Sequence, residues 1–328
     1  MLPLTRAPLI RPALTSVRAY SHFNKGVHAH ASTHGRTHGH GHVHGTSRRR
    51  GMASVTALSL STAMSAVLGY VLGAKFPPPT IPFLFTPYMK PEEELTPAQA
   101  EEHTRMIELG LHELPAVRDL LPMAYESPSA RKIREKYGVQ YDIPLAESIE
   151  EADFLVVRPF VNTPPGGLDQ QFTAGSLRGP HKFATIPLIF SLTKKGAERR
   201  GGRGGDGLAF LHLGKNMCGF ENVIHGGLVA TIFDEALART AFYALPNMVG
   251  VTGKLEVDYR KPVVANQYAV LQTNITENIG RKAFVRGELR PANADTVLAH
   301  ASSIFIEPRW AKYASWVGGV NVKKHLEQ

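Results

Sequence analysis

The C-terminal third of the chain alternates between apolar and polar positions. Four such runs, rich in β-branched residues, are separated by short turns such as residues 278–280 and 293–295. A period of two predicts half-buried β-strands. The four predicted strands are "VGVTGKLEVDYRKPV", "QYAVLQTNITEN", "KAFVRGELRPA" and "TVLAHASSIFIEP". Two earlier runs, "KFATIPLIFSLTKK" and "GLAFLHLG", predict two further strands on either side of a Gly-rich loop at 196–206.

A single long apolar helix is predicted between these two groups of strands, around "NVIHGGLVATIFDEALART" at 222–240. Two strands, one helix and four strands joined as hairpins predict an antiparallel sheet that buries its apolar face on that helix, an α+β arrangement. A parallel sheet would need a helix between each pair of strands, and the pattern contains none. The Gly-rich loop at 196–206 lacks the Lys-Ser/Thr ending and the strand-to-helix context of a phosphate-binding loop, so we interpret it as a mobile connection.

A helical extension is predicted at 91–150, before the main domain at 151–310 and a C-terminal tail at 311–328. Its first helix begins with a capping box, in which Thr96 is the cap, Pro97 occupies the first turn and Gln99 completes the box. A second helical stretch follows around 129–137. No cluster in this extension suggests chemistry.

Charge divides the chain at Glu92, its first acidic residue. Residues 1–91 hold ten of the 37 Lys and Arg residues, which leaves 27 basic residues against 28 acidic ones beyond them. The sequence pI of 9.6 therefore reflects the leader alone, and the domain gives no indication of nucleic-acid binding. Residues 1–20 have the spaced arginines, hydroxyls and apolar residues of a mitochondrial presequence, with Arg18 three positions before a cut after Tyr20. The alternative is a disordered basic tail.

Residues 21–50 form a His/Gly-rich linker that contains eight of the fifteen histidines. Alternating histidines can capture transition metals, but a flexible tract has no outer shell of hydrogen bonds to fix the geometry, so we favour a linker and predict no metal site. Cys218 is the one cysteine in the sequence. It therefore excludes disulfides within the chain and any cysteine-based zinc cluster.

An uncharged run at 51–74 predicts a single membrane-spanning helix. Its length of roughly 35 Å as a helix is sufficient for the hydrocarbon core of a bilayer. Its serines and threonines leave a buried or peripheral helix as the alternative. The three arginines at 48–50 outweigh Lys75 on the other side, which predicts a single-pass protein of the mitochondrial inner membrane whose domain faces the intermembrane space.

The long helix breaks two local rules, because Gly226 and Gly227 lie at its start and Asp234 lies on a stripe that should face the core. Such departures tend to mark functional sites. Gly227 and Asp234 are seven residues apart, nearly on one stripe and separated by roughly 10.5 Å. One substrate carbonyl cannot touch both, but two antiparallel copies of the helix around a two-fold axis can bring them together. An amide at a helix N-terminus is unpaired within the helix and can stabilise an oxyanion.

Four ordered motifs resemble the hotdog-fold acyl-CoA thioesterases. They are His225-Gly226-Gly227 followed by "AT" at 230–231, Asp234, the strand "VTGKLEVDYRKP" that carries Thr252, and "GRKAFV" from Gly280. The most similar branch is the mitochondrial membrane-associated one with the His-Gly-Gly motif, and "FTAGSLRGP" is similar to its fungal members. The resemblance covers roughly residues 172–308.

This resemblance implies a hotdog fold, with an antiparallel sheet wrapped around one long central helix, and a homodimer or higher oligomer whose sheet continues across the interface. It implies that Asp234 is the general base or nucleophile, that Thr252 helps to position the attacking water, and that the Gly227 amide polarises the thioester carbonyl. His225 is either catalytic or a holder of the helix entry. The alternative for Asp234 is a carboxylate satisfied by neighbouring groups, and the adjacent Glu235 is expected to be solvated.

The implied substrate is a fatty acyl-CoA, hydrolysed to the free acid and CoA, with no cofactor besides the coenzyme A of the substrate itself. Gly226 is expected to contact the substrate, and the basic residues Arg260, Lys261, Arg281 and Lys282, expected to cluster at strand ends, would meet the CoA phosphates. The alternative for each is a solvated charge. Two other functions stay open: a catalytically silent acyl-CoA-binding or membrane-organising protein, and a hotdog dehydratase, which would need a different polar constellation on the helix.

Overall fold

The computed structural model describes residues 95–164 and 166–312. The predicted presequence, the His/Gly-rich linker and the predicted membrane helix at 51–74 all lie outside the described residues, as does the tail beyond residue 312. Within the described ranges, none of the helices has the length and apolarity that a bilayer crossing requires. The membrane-anchor prediction therefore stays a prediction.

The described residues form five α-helices and ten β-strands. The helices are α1 (Pro97–His112), α2 (Pro115–Leu120), α3 (Pro128–Lys136), α4 (Lys194–Arg200) and α5 (Gly226–Ala244). The strands are β1 (Ala124–Glu126), β2 (Phe154–Val157), β3 (Leu188–Leu192), β4 (Gly207–Leu213), β5 (Cys218–Phe220), β6 (Val223–Ile224), β7 (Val251–Tyr259), β8 (Gln267–Ile279), β9 (Lys282–Pro291) and β10 (Ala299–Ile306).

Eight strands form one sheet in the order β1-β2-β3-β4-β8-β9-β10-β7, and β5 and β6 form a separate hairpin. Only the β1–β2 pair of this sheet is parallel. The prediction that all four C-terminal strands are joined as successive hairpins is wrong for β7, which pairs with β10 and not with β8. The chain leaves β7 at Arg260 and Lys261, whose backbone N–H groups donate to the Leu298 carbonyl and hold this connection against the β10 side.

The main core lies between α5 and one face of the sheet. Val229, Phe233 and Leu237 of the helix are at most 1% exposed, and they pack with Leu271 of β8 and Leu289 of β9. The predicted α+β arrangement, with an antiparallel sheet wrapped around one long helix, is confirmed. The four C-terminal strands are also present where the alternating pattern predicted them.

A second core covers the opposite face of β2, β3 and β4. It packs α1 and α2 against Phe154, Phe190 and Phe210, whose rings meet edge to face. Alternate residues of β3 therefore face different cores, with Ile189 toward α5 and Phe190 toward the helical extension. This half of the sheet is consequently buried between two helical layers.

The helical extension begins as the sequence predicted, because Thr96 and Gln99 form the reciprocal capping box at the start of α1. Helix α3 also forms where the second helical stretch was predicted. The extension additionally contains the short strand β1, which the sequence did not predict and which joins the main sheet beside β2. The boundaries of the predicted domains stay predictions.

A buried polar cluster ties the extension to the domain. Glu108 of α1 accepts hydrogen bonds from Arg158, which follows β2, and from Thr185, and His112 lies 3.0 Å from the same carboxylate. Although burial alone would raise the pKa of Glu108, the Arg158 guanidinium and the hydrogen bonds from His112 and Thr185 hold that pKa below its ordinary value. Removing one member of such a buried pair would leave the other charge uncompensated.

The Gly-rich segment at 196–206 is only partly a loop. Its first residues belong to α4, which Thr193 caps by accepting a hydrogen bond from Gly196 N–H at 2.9 Å. The turn that follows depends on glycine at Gly205, where φ is +98° and a Cβ atom would lie 2.4 Å from the Tyr243 side chain. The expectation of a loop over the whole segment was therefore wrong, because Thr193 supplies a helix cap that the composition hid.

Candidate active site

Asp234 and Thr252, both predicted as site residues, are in direct contact. The Thr252 hydroxyl donates a 2.8 Å hydrogen bond to Oδ1 of Asp234. Asp234 is half-buried on α5, and Thr252 is exposed near the start of β7. The hydrogen bond orients the carboxylate, and within the described part of the chain its Oδ2 has no hydrogen-bond donor.

A β-bulge at Gly253 accounts for this contact. Leu255 packs toward the α5 core, so in a regular strand Thr252, three residues away, would point to the opposite face. The register between β7 and β10 shifts at this point, because Lys254 pairs with Ile304 and Thr252 pairs with the next residue, Phe305. The extra residue turns Thr252 toward the helix. A Cβ atom on Gly253 would lie 2.7 Å from Cδ1 of Ile306, so a larger residue at the bulge would require that side chain to move.

His225 caps the N-terminus of α5. Its Nδ1 accepts a 2.9 Å hydrogen bond from Gly227 N–H, and its backbone carbonyl accepts from Leu228 and Val229. Because Nδ1 accepts, the neutral ring carries its proton on Nε2, so its free nitrogen is a donor. Of the two roles left open for His225, this geometry supports the holder of the helix entry.

The predicted oxyanion donor, Gly227 N–H, is therefore occupied by the His225 ring. Gly226 N–H, at the first position of α5, forms no hydrogen bond with the residues that the structure describes. A substrate oxygen at this helix end would meet the Gly226 amide directly, or would have to displace the His225 ring from Gly227 N–H.

Two residues at the helix end were missed by the sequence interpretation. The Tyr259 hydroxyl donates a 2.8 Å hydrogen bond to the Gly226 carbonyl, which fixes the far end of β7 to the helix start. Gly219 lies against the His225 ring, and a Cβ atom there would come within 2.7 Å of the imidazole. Neither residue belongs to a pattern with a recognisable spacing, because both act through tertiary contact.

The four predicted CoA-binding residues do not lie together within one chain. Arg260 and Lys261 follow the Tyr259 end of β7, and Arg260 is ion-paired with Asp258. Lys282 begins β9 opposite Ile306, which pairs with Val251 at the other end of β7, and Arg281 donates to the Glu307 carbonyl at 2.6 Å. Eight residues of extended strand separate these ends by about 27 Å. All four residues lie at strand ends, as expected, but the two pairs lie at opposite ends of β7 because β10 runs antiparallel to it. Their role in binding CoA stays a prediction.

Two depressions meet beside Asp234. An open groove is lined by Asp234, Thr252, Thr231 and Leu255, and an apolar cavity of about 210 Å³ lies next to it. Thr173 and Glu235 line both. The groove and the cavity therefore adjoin at these two side chains.

The Glu235 side chain is 40% exposed, so it is partly solvated as the sequence suggested, but it also has two partners. It accepts a 3.1 Å hydrogen bond from the Thr173 hydroxyl and pairs with Arg239 at 3.0 Å. The one-residue step along α5 therefore directs Asp234 to the groove and Glu235 to the wall that the groove shares with the cavity. Among the described residues, no group of three or more His, Cys, Asp or Glu side chains could hold a metal ion.

Residues 221–298 match the family model of the thioesterase superfamily. This segment holds α5 with Asp234, β7 with Thr252, and the strands β8 and β9, and it ends directly before β10 begins. The resemblance drawn from the sequence is thereby confirmed over these 78 of the chain's 328 residues, and the hotdog fold class is confirmed with it. Among solved structures, a thioesterase superfamily protein, RHA08564, matches with a TM-score of 0.32 and 20% identity, over 40% of this chain and 61% of its own.

The chain is also similar to fungal and mammalian proteins. The Candida albicans "Uncharacterized protein, mitochondrial" is 32% identical over 44% of this chain and 62% of its own length. The Schizosaccharomyces pombe "Uncharacterized protein C26H8.11c" is 35% identical over 31% of this chain and 59% of its own. "Acyl-coenzyme A thioesterase THEM4" of Rattus norvegicus is 29% identical over 29% of this chain and 40% of its own. The chain thus spans about three fifths or less of these relatives.

Proposed function

We propose that this protein is a thioester hydrolase that converts a fatty acyl-CoA to the free acid and CoA. The observation that supports this most is the contact between Asp234 and Thr252 on the groove, within the segment that matches the thioesterase superfamily. The similarity to an acyl-coenzyme A thioesterase of Rattus norvegicus supports the substrate class.

In the proposed reaction Asp234 removes a proton from a water molecule, and the oxygen of that water attacks the thioester carbonyl carbon. Thr252 holds Oδ1 by hydrogen bond and so directs Oδ2 at the water. The carbonyl oxygen becomes an oxyanion and is stabilised by the amides at the start of α5, where the helix dipole is positive. Collapse of the intermediate breaks the C–S bond, and the departing CoA sulfur takes up the proton.

The proposed site needs two chains. Thr252 holds Asp234 at one end of β7, whereas Tyr259 holds Gly226 at the other end. β7 is the last strand of the sheet, nine residues long, and both its faces are largely exposed. An edge strand of this length pairs readily with another strand. Antiparallel pairing of β7 with a second copy would bring Asp234 of one chain to the helix N-terminus of the other.

Charge selects the register of this pairing. In an antiparallel pair, residues directly opposite each other point to the same face of the sheet, and faces alternate along each strand. A two-fold axis perpendicular to the sheet satisfies this only if it passes through one residue of β7, which then lies opposite its own copy. An axis at Lys254 or at Glu256 would place like charges opposite each other, and an axis at Val257 would set Lys254 against Arg260. An axis at Leu255 places Lys254 of each copy opposite Glu256 of the other, which gives two pairs of opposite charge. We propose this register.

The same register would unite the basic residues. Arg281 and Lys282 lie at the Val251 end of β7, and Arg260 and Lys261 follow its Tyr259 end. Antiparallel pairing puts these opposite ends side by side, so that each dimer end would carry both basic pairs near one Asp234. We propose that they bind the CoA phosphates there.

A catalytically silent acyl-CoA-binding protein is the second candidate. The observation that favours it is the hydrogen bond between Gly227 N–H and His225 Nδ1, because it occupies one of the amides that an oxyanion would need. The two functions are distinguished by turnover, since a silent protein would bind an acyl-CoA without releasing free thiol.

We further propose that the protein works in mitochondria, attached to the inner membrane by residues 51–74 with its domain in the intermembrane space. The acid-free leader and the names of the fungal relatives, among them "Uncharacterized mitochondrial membrane protein FMP10" of Saccharomyces cerevisiae, support this location. Carbonate extraction of mitochondria should leave the protein in the membrane pellet, and protease should reach the domain once the outer membrane is ruptured. Release by carbonate would contradict the anchor, and protection behind an intact inner membrane would contradict the orientation.

Asp234→Asn tests the hydrolase. The variant should lower turnover of acyl-CoA, followed as free thiol, by about a hundredfold or more, because general-base catalysis typically contributes that much. Asp295→Asn makes the same change at an exposed turn and should leave the rate unchanged. Full activity of Asp234→Asn would make the aspartate structural, and a wild-type protein that releases no thiol from any acyl-CoA would leave the silent-binding function.

A further inference from the structure

We infer that the apolar cavity beside Asp234 is the site of the acyl chain and that it selects chains of medium length, about eight carbons. The inference rests on the proposed hydrolase, since it names the substrate class for the same site. Its basis is the position, the lining and the size of the cavity.

The position fits a chain whose thioester lies in the groove. Glu235 follows Asp234 directly in α5, and together with Thr173 it lines both the groove and the cavity. An acyl chain attached to a carbonyl at Asp234 would therefore enter the cavity between these two side chains. The Thr173–Glu235 hydrogen bond spans this passage and must open or shift for the chain to pass.

The lining favours an apolar occupant. Four polar residues reach the cavity, Thr173, Arg178, Glu235 and Arg239, and every other lining side chain is apolar. Glu235 is held by Thr173 and Arg239, and the Arg239 guanidinium carbon lies 4.8 Å from the centre of the Phe160 ring. These contacts satisfy the charges, so they do not call for a charged ligand.

Arg178 supports the same conclusion. Its Nη2 donates a 3.3 Å hydrogen bond to the Ala184 carbonyl. Its Nη1 has no partner among the described residues, but this atom exposes less than 1 Å² and is therefore covered by protein atoms rather than open to the cavity. A ligand carboxylate could not reach it without a rearrangement of the wall.

The size sets the chain length. A cavity of ~150 Å³ lined by apolar residues accommodates a benzene molecule, which has six carbons. In proportion, the 210 Å³ found here suits about eight carbons. A chain of sixteen carbons would have to leave most of its length outside.

The cavity wall comes largely from a segment outside the family match. Phe160, Leu168, Ala174 and Ile186 all precede residue 221, where the match to the thioesterase superfamily begins. Thr185 and Arg158 of the buried cluster flank this wall and join it to Glu108 of α1. The chain-length limit is thus built largely by the part of this chain that precedes the family segment, with α5 and Leu271 of β8 supplying the rest of the wall.

The first experiment measures kcat/KM of the full-length protein on acyl-CoAs of two to sixteen carbons. We expect the maximum near octanoyl-CoA and a decline of about tenfold or more toward hexadecanoyl-CoA, because excess methylenes in a filled pocket are rejected by factors of this order. Hydrolysis that is indifferent to length, or best with the longest chains, would overturn the inference and leave the proposed hydrolase intact.

Two variants change the cavity in opposite directions. Ala236→Leu, on α5, adds side-chain volume at the wall while keeping helix propensity nearly unchanged. It should reduce kcat/KM for octanoyl-CoA about tenfold or more and move the maximum to shorter chains. Leu168→Ala should move the maximum to longer chains. Because the two shifts have opposite signs, general destabilisation cannot produce both, and no shift in either variant would overturn the inference.

Calorimetric binding of octanoate to the same proteins separates this inference from the proposed function. Binding to the wild type that is lost in Ala236→Leu would sustain the cavity as an acyl site even if no thioester is hydrolysed. Failure of octanoate to bind a wild type that hydrolyses acetyl-CoA would remove the cavity from the reaction while leaving the hydrolase in place.

Discussion

The two ends of the sheet differ in what covers them. Every residue of β3 is at most 8% exposed, because α5 packs on one face and the helical extension on the other. β7, at the opposite edge, is exposed along most of its length, with Val251 54% and Tyr259 51% exposed. The covered end is therefore a scaffold. The open end carries Thr252, which contacts Asp234, and β7 there has one edge that pairs with none of the other described strands.

This difference shows that the residues that stabilise the fold and the candidate catalytic residues lie in different parts of the sheet. A strand buried on both faces must be apolar at every position, as "LIFSL" nearly is. A strand that will meet a second copy keeps charges that set the register, as Lys254, Glu256 and Asp258 do on β7. Two perturbations, one at each end of the sheet, test this division.

The larger effect is expected at the covered end, from a titration of His212 on β4. Burial, together with the neighbouring His103, lowers the pKa of His212 to about 4 from an ordinary value of 6.5. Between pH 6.5 and pH 4, His212 is protonated in the unfolded chain but stays neutral in the folded chain. The free energy of unfolding should therefore fall between pH 6.5 and pH 4, by up to about 3 kcal/mol from this residue.

Urea unfolding of the wild type and of His212→Gln across this pH range would measure the effect. The variant is expected to be less stable at pH 7 and to lose less stability on acidification. The quantity to compare is therefore the change in the free energy of unfolding with pH, and not its value at pH 7. If the free energy of unfolding changes equally with pH in both proteins, groups other than His212 cause the loss of stability in acid.

A smaller effect is expected at the open end, from Lys254→Glu. In the proposed register this change sets two like-charged pairs against each other across the dimer axis, which should weaken the dimer roughly tenfold. Sedimentation over a range of concentrations and of salt would measure it, because exposed pairs are screened by added salt.

The double variant Lys254→Glu/Glu256→Lys restores opposite charges in this register and should recover the dimer. If the double variant is as weak as the single one, Leu255 does not lie on the axis. If the wild type sediments as an active monomer, the site does not need a second chain.

Much of the covered core could be predicted from sequence because it depends on local patterns. The capping box at Thr96, the apolar stripe of α5 and the alternation in β8 to β10 are each encoded within a few residues of one another. Asp234 and the paired glycines could be singled out for the same reason, since a charge and two helix breakers in an apolar run conflict with their immediate neighbours.

The remaining features were decided by contacts between distant residues. Sequence spacing placed β7 next to β8, whereas the sheet closes with β7 beside β10, so the two basic pairs separate to opposite ends of a strand. The bulge at Gly253 turns Thr252 to the helix, and it is a shift in the pairing of β7 with β10, which lies more than forty residues later. A pattern read along one segment cannot contain such a partner.

The sequence by itself therefore determined the α+β class, the long central helix and the basic character of residues 1–91, and it singled out Asp234 as a candidate. Each of these follows from the periodicity or composition of one continuous segment. Only the tertiary structure decided the order of the strands, the occupation of Gly227 N–H by His225, and the cavity that Glu235 shares with the groove. These depend on which surfaces bury one another, and burial is a property of the packed chain rather than of any stretch within it.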